Sequence, residues 1–189
     1  DLGQAVQAAC ATPGSTRGLA GLTLAVCLAS CATVRAESLP VSADAHIEGN
    51  APDSNFGTSP VLSIAQTDLG GNKAYLQFDA STWGATNLGR VESLHLVWAG
   101  STNITRTLYV CLITGAGAND WTEGALTWSN APGNNVSGTA RGFVAYPGQT
   151  VTPLGSVQYT MRSPRELTIP FSAGSAEGNA LLSALNTGT

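Results

Sequence analysis

From residue 41 onward, apolar side chains return at every second position rather than every third or fourth. In residues 73–79 (KAYLQFD) Ala74, Leu76 and Phe78 share a face; in 91–98 (VESLHLVW) Leu94, Leu96 and Trp98 do; in 105–113 (TRTLYVCLI) Leu108, Val110 and Leu112 do. A strand sends successive side chains to opposite faces, so each segment is predicted to be a half-buried strand. The same pattern predicts shorter strands over 43–48, 60–65, 125–128, 141–146, 156–161 and 165–171, the last with Leu167, Ile169 and Phe171 alternating. Clusters of Gly, Asn and Pro at 49–60, 68–72, 84–89, 114–120, 130–138, 147–155 and 172–179 part them. Many short strands joined by polar turns predict an all-β, antiparallel β-sandwich. Only SAEGNALLSALNTG (175–188) departs from this period, with Leu181, Leu182 and Leu185 on one helical face and Gly188 as a stop. One short helix near the C-terminus is expected there.

The N-terminal pattern is different. TRGLAGLTLAVCLASCATVRAES (16–38) has one Arg, an apolar run from Gly18 to Ala32, and then small residues. The run is roughly 15 residues against the roughly 20 that a membrane span needs, so it predicts an N-terminal signal helix rather than an anchor. Two processing routes stay open. Val34-Arg35-Ala36 fits a cut before Glu37, giving a secreted, extracellular protein, whereas Leu28-Ala29-Ser30-Cys31 resembles a bacterial lipobox, giving a chain lipid-anchored to the cell envelope through Cys31. Residues 1–36 are therefore read as an upstream extension plus signal, and 37–189 as a single sandwich domain. A sandwich whose last element is a helix leaves a sheet edge open, so a closing strand is expected to be missing.

Composition narrows the partners. Only 11% of the residues are charged, and the net charge of −4 gives no basic surface for nucleic-acid phosphates. Nucleic acid is not an expected partner, and the domain is expected to be a monomer. Of the four cysteines, Cys27 and Cys31 fall in the signal segment and Cys10 before it, which leaves Cys111 as the only thiol able to sit in the mature core. No intramolecular disulfide and no zinc site is expected.

Little in the sequence suggests catalysis. A serine nucleophile needs a base, and the two histidines, His46 and His95, read as structural or surface residues with no nucleophile elbow nearby. Asp120 and Glu123 could form a glycosidase pair, yet their Gly- and Asn-rich surroundings offer no apolar pocket to raise one carboxyl pKa. Binding asks for less. Sugar rings stack on aromatic faces while nearby amides and carboxylates meet their hydroxyls, and Trp83, Trp121, Trp128, Asn130 and Tyr146 are candidates for such a site. The competing reading makes Trp128 core and Trp121 a plug at the sandwich end. Asp44, Glu48, Asp53 and Asn55, in DAHIEGNAPDSNFGTS (44–59), are an oxygen-rich candidate set for calcium, although turns use the same residue types.

Three stretches, ADAHIEGNAPDSNFGTSPVLSI, NKAYLQFDAST and WTEGALTWSNAP, resemble in order and spacing the DNRLRE-type domains of secreted bacterial and archaeal proteins. These are related to a carbohydrate-binding module found beside alginate lyases. The resemblance covers roughly 43–189. It implies a jelly-roll-like sandwich, exported, serving as an accessory module without catalytic residues. Asn55-Phe56-Gly57, Tyr75-Leu76, Phe78-Asp79, Trp121, Thr127-Trp128 and Pro132 look like its framework positions. A polyuronate such as alginate favours Lys and Arg, and the mature chain offers only Lys73, Arg90, Arg106, Arg141, Arg162 and Arg165. The expectation is thus a non-enzymatic, exported accessory or carbohydrate-binding module of a bacterial surface or secreted protein, with polysaccharide or cell-surface glycan as partner. A purely structural surface or matrix sandwich is the alternative, and a polysaccharide hydrolase or lyase is the least favoured.

Overall fold

Strand β1 (Val41–Glu48) pairs antiparallel with β2 (Asn72–Phe78), β3 (Ser93–Trp98) with β6 (Arg165–Pro170), and β4 (Ser101–Gly115) with β5 (Gln149–Arg162). The chain closes on helix α1 (Ala176–Thr187). The computed structural model describes residues 38–65, 71–83, 89–98, 101–136, 142–162 and 165–188. The expected signal segment, with Cys27 and Cys31, lies outside the described residues. The fold is all-β and antiparallel, sandwich-like in its packing, with the single short helix near the C-terminus. No helix among the described residues is long and apolar enough to cross a membrane.

Alternation fixes the strands as expected in β3, β4 and β6. Leu108 on β4 and Leu167 on β6 are buried with Tyr159 of β5, and Leu96, Val110 and Val157 pack against them. A second cluster of Leu154, Ile169 and Phe171 takes in Leu94, Leu112 and Leu181, the last from α1. Helix α1 starts at Ser175, whose hydroxyl accepts from the Gly178 N–H, and stops at Gly188 in the left-handed conformation, φ 69°.

Four segments differ from their predicted form. Residues 125–128 form no strand; they are a turn whose shape is set by side-chain hydrogen bonds. Among the described residues, 60–65 and 142–146 contribute only the isolated bridges Ala65↔Asn72 and Asn134↔Phe143, and the rest of the strand expected over 141–146 lies outside them. In the other direction, β5 runs straight through 149–155, where Pro and Gly predict a turn. The register explains it: Val110 faces Gly155 and Cys111 faces Pro153, so Leu154 is an extra residue bulged out of the ladder. A bulge accommodates a proline without an N–H and a glycine at φ 142°, and it turns Leu154 into the core.

The buried face of β2 is also not the one alternation favours. Lys73 and Tyr75 point inward, whereas Ala74, Leu76 and Phe78 are half-buried. Tyr75 joins Ala45, Ile47, Leu126, Trp128 and Ala131 in the third cluster, which lies under the loops that carry the candidate site.

Candidate functional site

The loop 116–134 leaves the end of β4 and folds over β1 and β2. Leu126 and Trp128 fasten it, with Trp128 only 4% exposed in the core. Asn134, fully buried, donates from Nδ2 to the Trp128 carbonyl at 2.6 Å and accepts from the Lys73 ammonium at 2.7 Å. Lys73 also donates to the Gly142 carbonyl at 2.8 Å and lies 4.9 Å from the ring centres of both Trp128 and Phe143. Cation–π contacts and carbonyl acceptors replace the water a lysine gives up on burial, and the remaining desolvation lowers its pKa to about 8. Tyr75 donates to the Pro132 carbonyl at 3.0 Å, and burial raises its phenol above the ordinary range, with Tyr146 adding to the effect.

The other side of the loop is stapled to residues 44–57. Asn55 donates from Nδ2 to the carbonyls of Glu123 (2.7 Å) and Leu126 (2.8 Å), while its Oδ1 accepts from the Gly57 N–H. The Glu123 carboxylate accepts from the Asp44 N–H at 2.9 Å. Ser129 donates its N–H to the Pro52 carbonyl and its hydroxyl to Asp53. At Gly57 the backbones come so close that a Cβ would sit 1.8 Å from the Glu123 carbonyl oxygen. A glycine is the residue that permits this approach.

These contacts redefine the residues considered for calcium. Asp44 and Asn55 hold the Glu123 turn, Asp53 holds Ser129, and Glu48 accepts from Asn72 at 3.2 Å beside His46. Asp44 takes part only through its backbone N–H, and no group of three or more His, Cys, Asp or Glu side chains able to hold a metal ion occurs among the described residues. Glu123 is likewise a turn acceptor.

The loop borders an open concavity. Gly117, Asp120, Trp121, Ala125, Asn130 and Pro132 line a cleft of about 200 Å³. Trp121 is half-buried, packed edge-on against Tyr75 with ring centres 6.2 Å apart, and it also forms part of the cleft wall. Its backbone is held by Gln77, which reaches the carbonyls of Asn119 and Trp121. Asn130 is fixed twice, accepting from the Thr127 N–H at 2.8 Å and donating to the Ala125 carbonyl at 2.9 Å. A rigid aromatic wall flanked by an amide and a carboxylate is suited to a sugar ring.

Of the five sugar-site candidates, the structure brings together Trp121 and Asn130. Trp128 is in the core with no face open to a ligand. Tyr146 is half-buried away from the cleft, its hydroxyl donating to the Asn134 carbonyl. Trp83 ends the 3-10 turn Ala80–Trp83, and its side chain lies outside the described residues. Asp120 and Pro132 line the cleft although neither stood among those five; the signal available for Asp120 was its position directly before Trp121.

The two histidines sit in different settings. His46 is buried, stacked on Phe56 at 4.8 Å, with its Nδ1 lacking a hydrogen-bond partner among the described residues. His95 lies on the outward face of β3, 2.6 Å from Ser93 Oγ and 2.7 Å from Glu166. Both members of the His95–Glu166 pair are more than half exposed, so water competes for each group.

Comparison with known families decides the class. A family model, carbohydrate-binding module family 96, matches residues 35–146, more than half of the chain. The chain belongs to carbohydrate-binding module family 96. The matched segment of this family 96 module contains β1 to β4, the stapled loops and every residue that lines the Trp121 cleft. Membership accords with a non-catalytic binding role for the domain. No curated protein matches the chain.

Proposed function

We propose that this family 96 module binds glycan through the Trp121 cleft and serves as a non-enzymatic, exported accessory domain of a bacterial surface or secreted protein. The observation that carries the reading is the position of Trp121, half-open in the cleft wall between Asp120 and Asn130, on a loop locked from two sides. A shallow cleft of about 200 Å³ is smaller than the roughly 300–1,000 Å³ of drug-sized sites, so it takes one ring of a longer chain. Export is supported by the signal-like segment, by secretion or through a lipid on Cys31, and the accessory role by the DNRLRE-type likeness.

The edge-on contact between Trp121 and Tyr75 favours a second reading, in which the indole is only a plug and the domain a structural spacer. Affinity electrophoresis of the wild type and Trp121→Ala in gels containing polysaccharides, with unfolding midpoints for both, separates the two. Lost retardation with a retained fold supports the glycan site. Retention of binding would move the glycan site away from Trp121, whereas loss of the fold in the variant, with no polysaccharide bound by the wild type, supports the spacer.

A further inference from the structure

We infer that the cleft selects a neutral glycan, through a sugar unit carrying two adjacent free hydroxyls that Asp120 receives; the inference rests on the cleft being the glycan site. Asp120 is exposed on the cleft wall, and among the described residues no side chain is hydrogen-bonded to or paired with its carboxylate. Its backbone is held, the N–H donating to the Gly117 carbonyl. An ionised carboxylate has two oxygens that only accept, and these match the two O–H donors of a vicinal diol. Asn130, with one acceptor site and one N–H already used, keeps a spare N–H and a spare lone pair for a further hydroxyl. Trp121 supplies the apolar wall for the ring.

The same carboxylate works against a uronate. Among the described residues no Lys or Arg lines the cleft. Lys73, the only lysine, is enclosed by Asn134, Gly142, Trp128 and Phe143, and Arg90 pairs with Glu92 at the start of β3. A uronate carboxylate entering beside Trp121 would therefore meet Asp120 with no counter-charge among the described lining residues, which is a repulsive element of specificity. Because the cleft is open, salt would weaken that repulsion but leave hydroxyl recognition nearly unchanged.

Affinity electrophoresis at low and high salt tests this with glucan, mannan, xylan and galactan against alginate and polygalacturonate, using the wild type, Asp120→Asn and Trp121→Phe. Unfolding midpoints confirm that each variant is folded. The expected result is binding to one or more neutral polysaccharides with little salt dependence, weakened about tenfold by Asp120→Asn through loss of charge-assisted hydrogen bonds, and weakened also by Trp121→Phe. Preferential binding of a polyuronate that falls with salt, is strengthened by Asp120→Asn and is reduced by Trp121→Phe would overturn the neutral class while keeping the cleft. Neutral binding that needs Trp121 but ignores Asp120→Asn would overturn the diol assignment. Binding indifferent to both substitutions, or no binding at all, would overturn the cleft reading and this inference with it.

Discussion

Lys73 donates a 2.7 Å hydrogen bond to the Asn134 side chain, and both residues are buried beneath the loop that carries Trp121. Replacing one partner leaves the other without its bond. Lys73→Met keeps the stem, removes the charge and strands the Asn134 oxygen, and should cost about 1–3 kcal/mol. Asn134→Ala should cost more, since it takes one acceptor from a buried ammonium, leaving only the Gly142 carbonyl and the two rings, and also strands the Trp128 carbonyl. Urea unfolding of the two variants gives the order.

The same lysine predicts a pH effect. Its folded pKa of about 8 lies below the ordinary 10.5, so between these values the unfolded chain binds more protons than the native one. Stability contributed at this site therefore rises with pH through that window, as the penalty for burying the charged form is relieved. Cys111, Tyr75 and Tyr159 act oppositely, because burial raises each of them and the unfolded chain loses those protons first, from about pH 9 or 10 upward. Unfolding free energy of the wild type minus that of Lys73→Met isolates the lysine and should move in favour of the wild type from pH 8 to 10.5. A difference that is flat or falls across that range would contradict the burial argument.

Asn55→Ala removes both hydrogen bonds that staple the Glu123 turn to the 51–57 loop. A loss of about 1–3 kcal/mol in unfolding free energy is expected, with weaker glycan retardation because the cleft wall loses its support. Gly57→Ala should act more severely, as its Cβ would overlap the Glu123 carbonyl. Urea unfolding and gel retardation of both variants check the pair of effects.

Calcium removal should leave the unfolding midpoint unchanged. Glu48, Asp53 and Asn55 already spend side-chain atoms on Asn72, Ser129 and the Glu123 turn, and no group of three or more His, Cys, Asp or Glu able to hold a metal occurs among the described residues. Calorimetry with EDTA and with excess calcium reads this directly; a clear upward shift with calcium would contradict it.

His95→Ala should change unfolding free energy by under about 1 kcal/mol, the range of exposed ion pairs. The pair with Glu166 is short at 2.7 Å but faces water on β3 and β6. Chemical denaturation of the variant is sufficient to check it.

Period-two alternation made most of the ladder legible, because Leu94, Leu96, Leu108, Leu167 and Ile169 lie on a face that must be dry. It failed at Lys73, where hydropathy counts the charge while the structure supplies rings and carbonyls that make burial tolerable. It failed again at Pro153 and Gly155, since a bulge uses the residue types of a turn. Trp128 could be read as core from its place at the end of a predicted short strand, although 125–128 is a turn, while its equal standing with Trp121 as a stacking candidate could not be resolved without the burial of each ring. Asp120 was harder to assign. Its part depends on which loop residues surround the same concavity, a relation set by Asn55, Glu123 and Ser129 contacts across roughly 70 positions of chain.

The most direct test of glycan binding at the cleft is a ¹H–¹⁵N spectrum in which the indole N–H signals of Trp121 and Trp128 are followed as soluble oligosaccharide is added. Binding at the cleft predicts a saturable shift of the Trp121 signal, with Trp128, closed in the core, moving far less. A titration in which the oligosaccharide binds while the Trp121 signal stays fixed would contradict it.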